Sequence, residues 1–191
     1  DVGIIGLPNV GKSTFISKVS AARPKIADYP FTTLVPQLGV VQYRDQEPFV
    51  IADIPGLIEG AHTGLGMGTR FLRHIERTAV LLHILDISLE TYEGGWRNYE
   101  LINRELELFS PGLLAKPQVV AISKRDLTVT RERMKKDIDI FSKKGIKLLT
   151  FSAATGEGIQ DLLRELLLHI PPRRPPVDAG ADGAASQEQP E

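Results

Sequence analysis

Apolar runs of strand length recur along the chain at residues 2–5, 38–41, 49–52, 80–85, 119–122 and 148–151. Between or after them lie stretches with apolar positions at helical spacing, at residues 12–19, 68–77, 98–109, 131–143 and 159–169. Strands that alternate with helices in this way form right-handed βαβ crossovers, which build a largely parallel sheet covered on both faces. The runs at 38–43 and 49–52 depart from this rule. They are joined by the polar Arg44-Asp45-Gln46-Glu47, a link short enough for a hairpin, so one antiparallel strand joins the sheet. The pattern therefore predicts an α/β fold with a mostly parallel six-stranded sheet, one strand antiparallel, and helices on both faces.

The periodicity stops near residue 170. Residues 171–191 are rich in Pro, Gly, Ala, Ser and acidic side chains, which cannot bury enough apolar surface to offset the entropy of ordering. The expected organisation is one domain over 1–170 followed by a disordered tail or linker over 171–191. A chain of 191 residues, 42% hydrophobic and 25% charged, is long enough for one core of ordinary size. No internal repeat interrupts that domain.

Charge and cysteine usage narrow the picture further. The formal net charge of -1 argues against a strongly basic surface that would neutralise many phosphates, although a local patch remains compatible with RNA. The chain has no cysteine, which excludes disulfides and thiolate metal sites and fits a reducing, cytoplasmic setting. No apolar run approaches the roughly 20 residues needed to span a bilayer. The first residues, Asp1 to Gly6, read as a buried strand and not as a signal peptide. A chain that opens on such a strand without an initiator Met is expected to have sequence upstream.

The chemistry is concentrated at strand ends. Gly6-Leu7-Pro8-Asn9-Val10-Gly11-Lys12-Ser13 fits G-x-x-x-x-G-K-S/T between the first strand and the first helix, the context that a phosphate-binding loop (P-loop) requires. Backbone N–H groups of the loop, from Gly6, Asn9, Val10 and Gly11 onward to Thr14, wrap a β-phosphate, and Pro8 is a nucleotide contact of the same loop that offers no N–H. Lys12 reaches the β/γ oxygens, and the Ser13 hydroxyl ligates Mg²⁺. A nucleoside triphosphate is the expected ligand, and the fold is a P-loop NTPase.

Asp53-Ile54-Pro55-Gly56 follows the third run, at a strand's C-terminal end, where open α/β sheets bind ligands. Asp53 is a second Mg²⁺ anchor through a water, and the Gly56 amide can approach the γ-phosphate. The intervening segment, Ala27-Asp28-Tyr29-Pro30-Phe31-Thr32-Thr33-Leu34-Val35-Pro36, has two prolines and no steady period, so it reads as a loop. Either Thr32 or Thr33 can offer its hydroxyl to the metal, with Thr33 favoured; Phe31 is a further nucleotide contact. Ser123-Lys124-Arg125-Asp126 follows the fifth run, where a carboxylate can accept from guanine N1–H and N2–H₂. Adenine lacks that donor pair, so Asp126 favours GTP over ATP. Ser152-Ala153-Ala154-Thr155-Gly156 follows the last run and can present the Ala153 or Ala154 N–H to guanine O6.

Taken together, these residues resemble the translation-factor-related GTPases with a Ras-like G domain, and most closely the G domain of the Obg family. The resemblance covers about residues 1–170 and is carried by the 27–36 segment, by Asp53-Ile54-Pro55-Gly56-Leu57-Ile58-Glu59-Gly60-Ala61-His62 and by Gly64-Leu65-Gly66-Met67-Gly68. It implies Lys12 and Ser13 as phosphate and Mg²⁺ residues, Thr33 as the switch I metal ligand, and Asp53 and Gly56 as the switch II pair. It also implies slow GTP hydrolysis in large ribosomal subunit maturation, through rRNA or ribosomal protein, with links to stress and guanine-nucleotide alarmones. The domain by itself is expected to be monomeric. Two positions depart from the usual pattern. Ser123 replaces the Asn of Asn-Lys-x-Asp, so a looser tie between base site and P-loop and a weakened guanine affinity are expected. Leu57 stands where Ras-like enzymes carry a water-orienting Gln, so intrinsic turnover is expected to be slow. Asn9 matches a P-loop position at which similar GTPases bind K⁺, which makes K⁺ a second candidate ion; the alternative is that Asn9 only shapes the loop. Other functions compatible with these motifs are a nucleotide-binding scaffold with negligible turnover, or a P-loop metabolic kinase or ATPase. His83 is expected to be a core residue, His62 an exposed loop residue, and Arg70, Arg73 and Arg77 a solvated face or an RNA contact.

Overall fold

The computed structural model describes residues 1–21, 25–26, 37–54, 76–89 and 92–172. The strands are β1 (Val2–Ile5), β2 (Lys25–Ile26), β3 (Gln37–Val41), β4 (Phe49–Asp53), β5 (Val80–Leu85), β6 (Gln118–Ile122) and β7 (Leu148–Thr150). The helices are α1 (Lys12–Val19), α2 (Gly95–Phe109), α3 (Pro111–Leu114), α4 (Thr128–Lys143) and α5 (Ile159–Leu167). All the strands form one sheet in the order β2-β3-β4-β1-β5-β6-β7. β1 pairs in parallel with β4 and β5, and β5-β6-β7 continue in parallel. β3 is the antiparallel strand, paired with β4 from Leu38 opposite Ala52 to Val41 opposite Phe49.

Six of these strands are the six apolar runs. The seventh, β2, is two residues long and pairs with β3 at the sheet edge. Two residues are too few to show an alternation, so only the pairing defines it. The expected helix at 68–77 lies outside the described residues except for its end.

The central strands β1 and β5 are buried on both sides, with every residue inaccessible. Alternation decides which core each side chain joins. Ile4, Leu82 and Ile84 pack with Phe15 and Ile16 of α1 and Leu162 and Leu166 of α5, and Phe15 meets Phe151 edge to face at 5.2 Å. On the opposite face, Ile5 and Leu81 pack with Ile102 and Leu106 of α2, while Leu85, Val120 and Ile122 pack with Phe141 of α4.

His83 points to that second face, fully buried and stacked on Tyr99 with ring centroids 5.1 Å apart. Its Nδ1 lies 3.4 Å from Gln118 Oε1, and Gln118 in turn donates to Asn103 Oδ1 at 2.7 Å. Burial lowers its pKa to about 4, against a small opposing effect of Gln118. It is a core residue, as its place in an apolar strand suggests. A histidine held neutral in the fold but free to protonate when unfolded costs stability as pH falls from about 6.5 toward 4. The expected loss over that window is roughly 3 kcal/mol. Comparing thermal melts of the wild type and His83→Gln between pH 4.5 and 7.5 checks this: the variant should show the shallower pH slope, and equal slopes would disprove the assignment.

Candidate functional site

β1 is flanked by β4 on one side and β5 on the other. The chain leaving β1 leads to α1 on one face of the sheet and the chain leaving β5 leads to α2 on the other, which opens a crevice at the C-terminal end of β1. The predicted P-loop leaves β1 at that point. Gly6 takes φ 151° and Gly11 φ 97°, values that favour glycine. At Gly6 a Cβ would also fall 2.4 Å from the Ile84 carbonyl oxygen, whereas at Gly11, the residue that opens α1, it would meet open space. Asn9 has φ 62° and is exposed, as is Pro8. The loop is thus a curved turn whose outer side faces solvent and whose last glycine leads directly into α1, an arrangement that suits an anion.

Lys12 folds back over this turn. Its Nζ donates to the carbonyls of Gly6 at 3.0 Å and Leu7 at 3.2 Å. Burial holds its pKa below the ordinary lysine value, partly offset by the charge of Asp53. Asp53 ends β4 beside Ile4 of β1. Its pKa is raised by burial, against the opposing effects of Lys12 and the Ile54 N–H, and its Oδ1 is buried without a hydrogen-bond partner among the described residues. Each group is thus held in a charge-poor setting with the other as its main countercharge. The Ser13 and Thr14 side chains are exposed at the start of α1.

The base side is built from the ends of β5, β6 and β7. Val10, Gly11 and Thr14 face Ser123, Lys124, Asp126, Leu127, Phe151, Ala153 and Ala154 across one cleft of about 160 Å³. The P-loop and both predicted base-reading segments therefore meet in one place. The half-buried Asp126 carboxylate sits at this cleft. Ser152 lies behind it, fully buried, and its Oγ accepts from Thr155 N at 3.1 Å to shape the turn. Glu157 fastens the two base segments together, with Arg125 Nε at 3.2 Å and Arg131 Nη2 at 3.8 Å.

The expectation that Ser123 leaves the base segment loosely tied is corrected by the geometry. Ser123 is buried and donates its hydroxyl proton to the Val10 carbonyl at 2.8 Å, with the Leu85 carbonyl 3.2 Å away. A serine has one donor where an asparagine has two, but the backbones here are close enough for the shorter side chain to make the bond.

One residue of the site, Asp86, has no signature in the sequence. Its side chain is 1% exposed just past β5, and its Oδ2 lies 2.5 Å from Lys124 Nζ. Oδ1 accepts from Ser88 N at 2.8 Å and Ser88 Oγ at 2.7 Å. A lone Asp after an apolar strand belongs to no spacing motif; the only signal available was its place at a strand's C-terminal end. Among the expected residues, Phe31, Thr32, Thr33, Gly56, Leu57, His62, Gly64, Gly66, Gly68, Arg70 and Arg73 lie outside the described residues. Arg77 is exposed.

A parallel sheet with a glycine turn and lysine at its switch point, a strand-end aspartate and two base-side loops defines a P-loop nucleotide-binding domain of the G-domain type. Residues 1–124 match the family described as 50S ribosome-binding GTPase, and the chain belongs to that family. It is 67% identical over 167 residues to the GTPase Obg of Syntrophus aciditrophicus, covering 87% of this chain and 49% of that protein. It is 51% identical to the GTPase Obg of Syntrophotalea carbinolica over 100% of this chain and 53% of that protein. The Obg resemblance read from the switch segments is borne out by these relatives, of whose length the chain spans about half. Among solved structures, Era in complex with MgGDPNP and nucleotides 1506-1542 of 16S ribosomal RNA aligns with a TM-score of 0.69 at 27% identity, over 91% of this chain and 57% of that one.

Proposed function

We propose that residues 1–170 form one GTP-binding unit that hydrolyses GTP to GDP and phosphate, slowly, as a switch. The observation that carries this reading is the convergence of P-loop, Lys12, Asp53 and the Asp126 cleft at the C-terminal ends of the parallel strands. A guanine in the cleft would donate N1–H and N2–H₂ to Asp126, and the Ala153 or Ala154 N–H would face its O6. The loop amides and Lys12 would hold the β- and γ-phosphates.

Mg²⁺ fits the residues present. Asp53 offers a buried oxygen without a partner, Ser13 offers an exposed hydroxyl, and hard oxygen donors of this kind suit that ion. Ser13 and Asp53 would hold it, with Thr33 as the third protein ligand, and when bound it neutralises charge on the β/γ oxygens. In hydrolysis, water adds to the γ-phosphorus as the bond to the β–γ bridging oxygen breaks, and GDP and phosphate leave. Lys12 supplies positive charge where negative charge gathers, and the loop keeps the phosphates in line. Leu57 cannot orient the water, which supports slow turnover. Asn9, exposed on the turn, supports a K⁺ site beside the phosphates.

The ribosomal setting rests on the family and on the Obg relatives. We read this chain as acting in the cytoplasm on the large ribosomal subunit, with guanine-nucleotide alarmones as further ligands of the same cleft. No helix among the described residues is long and apolar enough to cross a membrane. Single-turnover hydrolysis tests the activity: GTP with Mg²⁺ should be cleaved, ATP should not, and replacing K⁺ by Na⁺ should slow cleavage at least severalfold. Equal use of ATP overturns the guanine reading, and an unchanged rate in Na⁺ removes the K⁺ site. Cosedimentation of a longer protein containing this chain with large ribosomal subunits, in GTP but not in GDP, tests the partner; no cosedimentation in either overturns it.

A further inference from the structure

We infer that Asp86 is a positioning residue for base recognition, holding Lys124 so that its side chain forms one wall of the cleft beside Asp126. The inference rests on the guanine-nucleotide reading above. Lys124 has φ 55°, a left-handed conformation that a non-glycine residue keeps only where its surroundings hold it. The backbone on either side is pinned by Ser123 N to the Leu85 carbonyl at 2.8 Å and Arg125 N to the Phe151 carbonyl at 3.0 Å, and the side chain is held by the Asp86 carboxylate, 2.5 Å from the ammonium and almost wholly buried, although Lys124 itself is about one-third exposed.

Both oxygens of Asp86 are committed. Ser88 N and Oγ occupy Oδ1 and turn Oδ2 toward Lys124. The segment carrying Asp86 is fixed in turn by α4: Arg133 Nη1 donates to the carbonyls of Ile87 at 2.8 Å and Leu89 at 2.9 Å, and its guanidinium lies 4.7 Å from the Tyr92 ring centroid. Tyr92 donates to Asp137, a buried α4 carboxylate that also accepts from Gly95 N at 2.9 Å. Anchored at its tip, the Lys124 stem is set along the cleft before any ligand arrives, so the cost of ordering a long flexible side chain falls on folding and not on binding. With Asp86 gone, Lys124 is free to swing into solvent, and a base would lose a wall of its site.

The experiment is a double-mutant cycle with Asp86→Asn and Lys124→Met, read by the affinity for GDP carrying a fluorescent ribose label and by steady-state GTP hydrolysis. Asp86→Asn is expected to raise the Kd about tenfold and KM in parallel, with kcat at saturating GTP changing less than twofold. Lys124→Met should do the same, and the double variant should bind no worse than Lys124→Met alone. Ser88→Ala, which keeps both charges and the Ser88 N–H bond but removes the hydroxyl bond to Oδ1, should raise the Kd about threefold and covers the case in which Asp86→Asn does not fold. Wild-type affinity in both Asp86→Asn and Ser88→Ala, or effects of Asp86→Asn and Lys124→Met that multiply, overturns the inference and leaves the guanine reading standing. A wild-type protein that binds no labelled GDP overturns both.

Discussion

Lys12→Met is expected to raise the Kd for GDP and GTP on the order of a thousandfold, yet to shift the melting temperature of the nucleotide-free protein by only a few degrees. The two halves of this result come from the same geometry. The Lys12 ammonium is half-buried, its pKa is held down mainly by burial, and its direct protein partners are the Gly6 and Leu7 carbonyls. Removing it relieves the desolvation of a charge while leaving those carbonyls and Asp53 less well satisfied, and opposing effects of this kind nearly cancel. With a nucleotide present nothing opposes the loss. An ammonium within hydrogen-bond reach of phosphate oxygens in a partly dehydrated site contributes several kcal/mol, and about 4 kcal/mol is a thousandfold in affinity. Thermal melts with and without excess GDP measure both halves, because a ligand raises the melting temperature only as far as it binds. A variant still stabilised by GDP as strongly as the wild type would remove Lys12 from the phosphate site.

The second large effect concerns base choice. Asp126→Asn should weaken GTP binding on the order of 10²–10³-fold and create binding of xanthine nucleotides. A carboxylate offers two acceptors, which match guanine N1–H and N2–H₂. An asparagine offers one acceptor and one donor, which leaves the guanine amino group facing another donor. Xanthine carries a carbonyl oxygen in place of that amino group, so the amide can accept from N1–H and donate to the oxygen. The side chain sits at a cleft already framed by Val10, Thr14 and Ala153, so the change should switch partners without remodelling the site. Competition by GDP and xanthosine diphosphate against a labelled nucleotide measures it. Unchanged preference for guanine would mean that another residue reads the base.

Much of the fold and of the candidate site was legible because it is local. The P-loop is one contiguous pattern between a strand and a helix, and Asp53, Ser123 and Ser152 each sit directly past an apolar run. Features set by distant partners were not legible. The α2 helix begins at Gly95, where two glycines in a row argue against a helix; the Asp137 carboxylate from α4 receives the Gly95 N–H across 42 positions of sequence. Asp137 itself looks like a solvated residue on a charged helix, yet it is fully buried. The Ser123 bond to Val10 depends on how closely two backbones approach, which no propensity encodes. Asp86 acquires its partner only when β5 and β6 pair in register, Leu85 beside Ile122.

The Ser123 hydroxyl spans 113 positions of sequence to reach Val10, and so rivets the phosphate-gripping turn to the loop that faces the base. Parting those two walls would break that bond. A bound nucleotide cannot escape by their parting unless that bond breaks first, so the dissociation rate should respond to this one proton even where equilibrium structure does not.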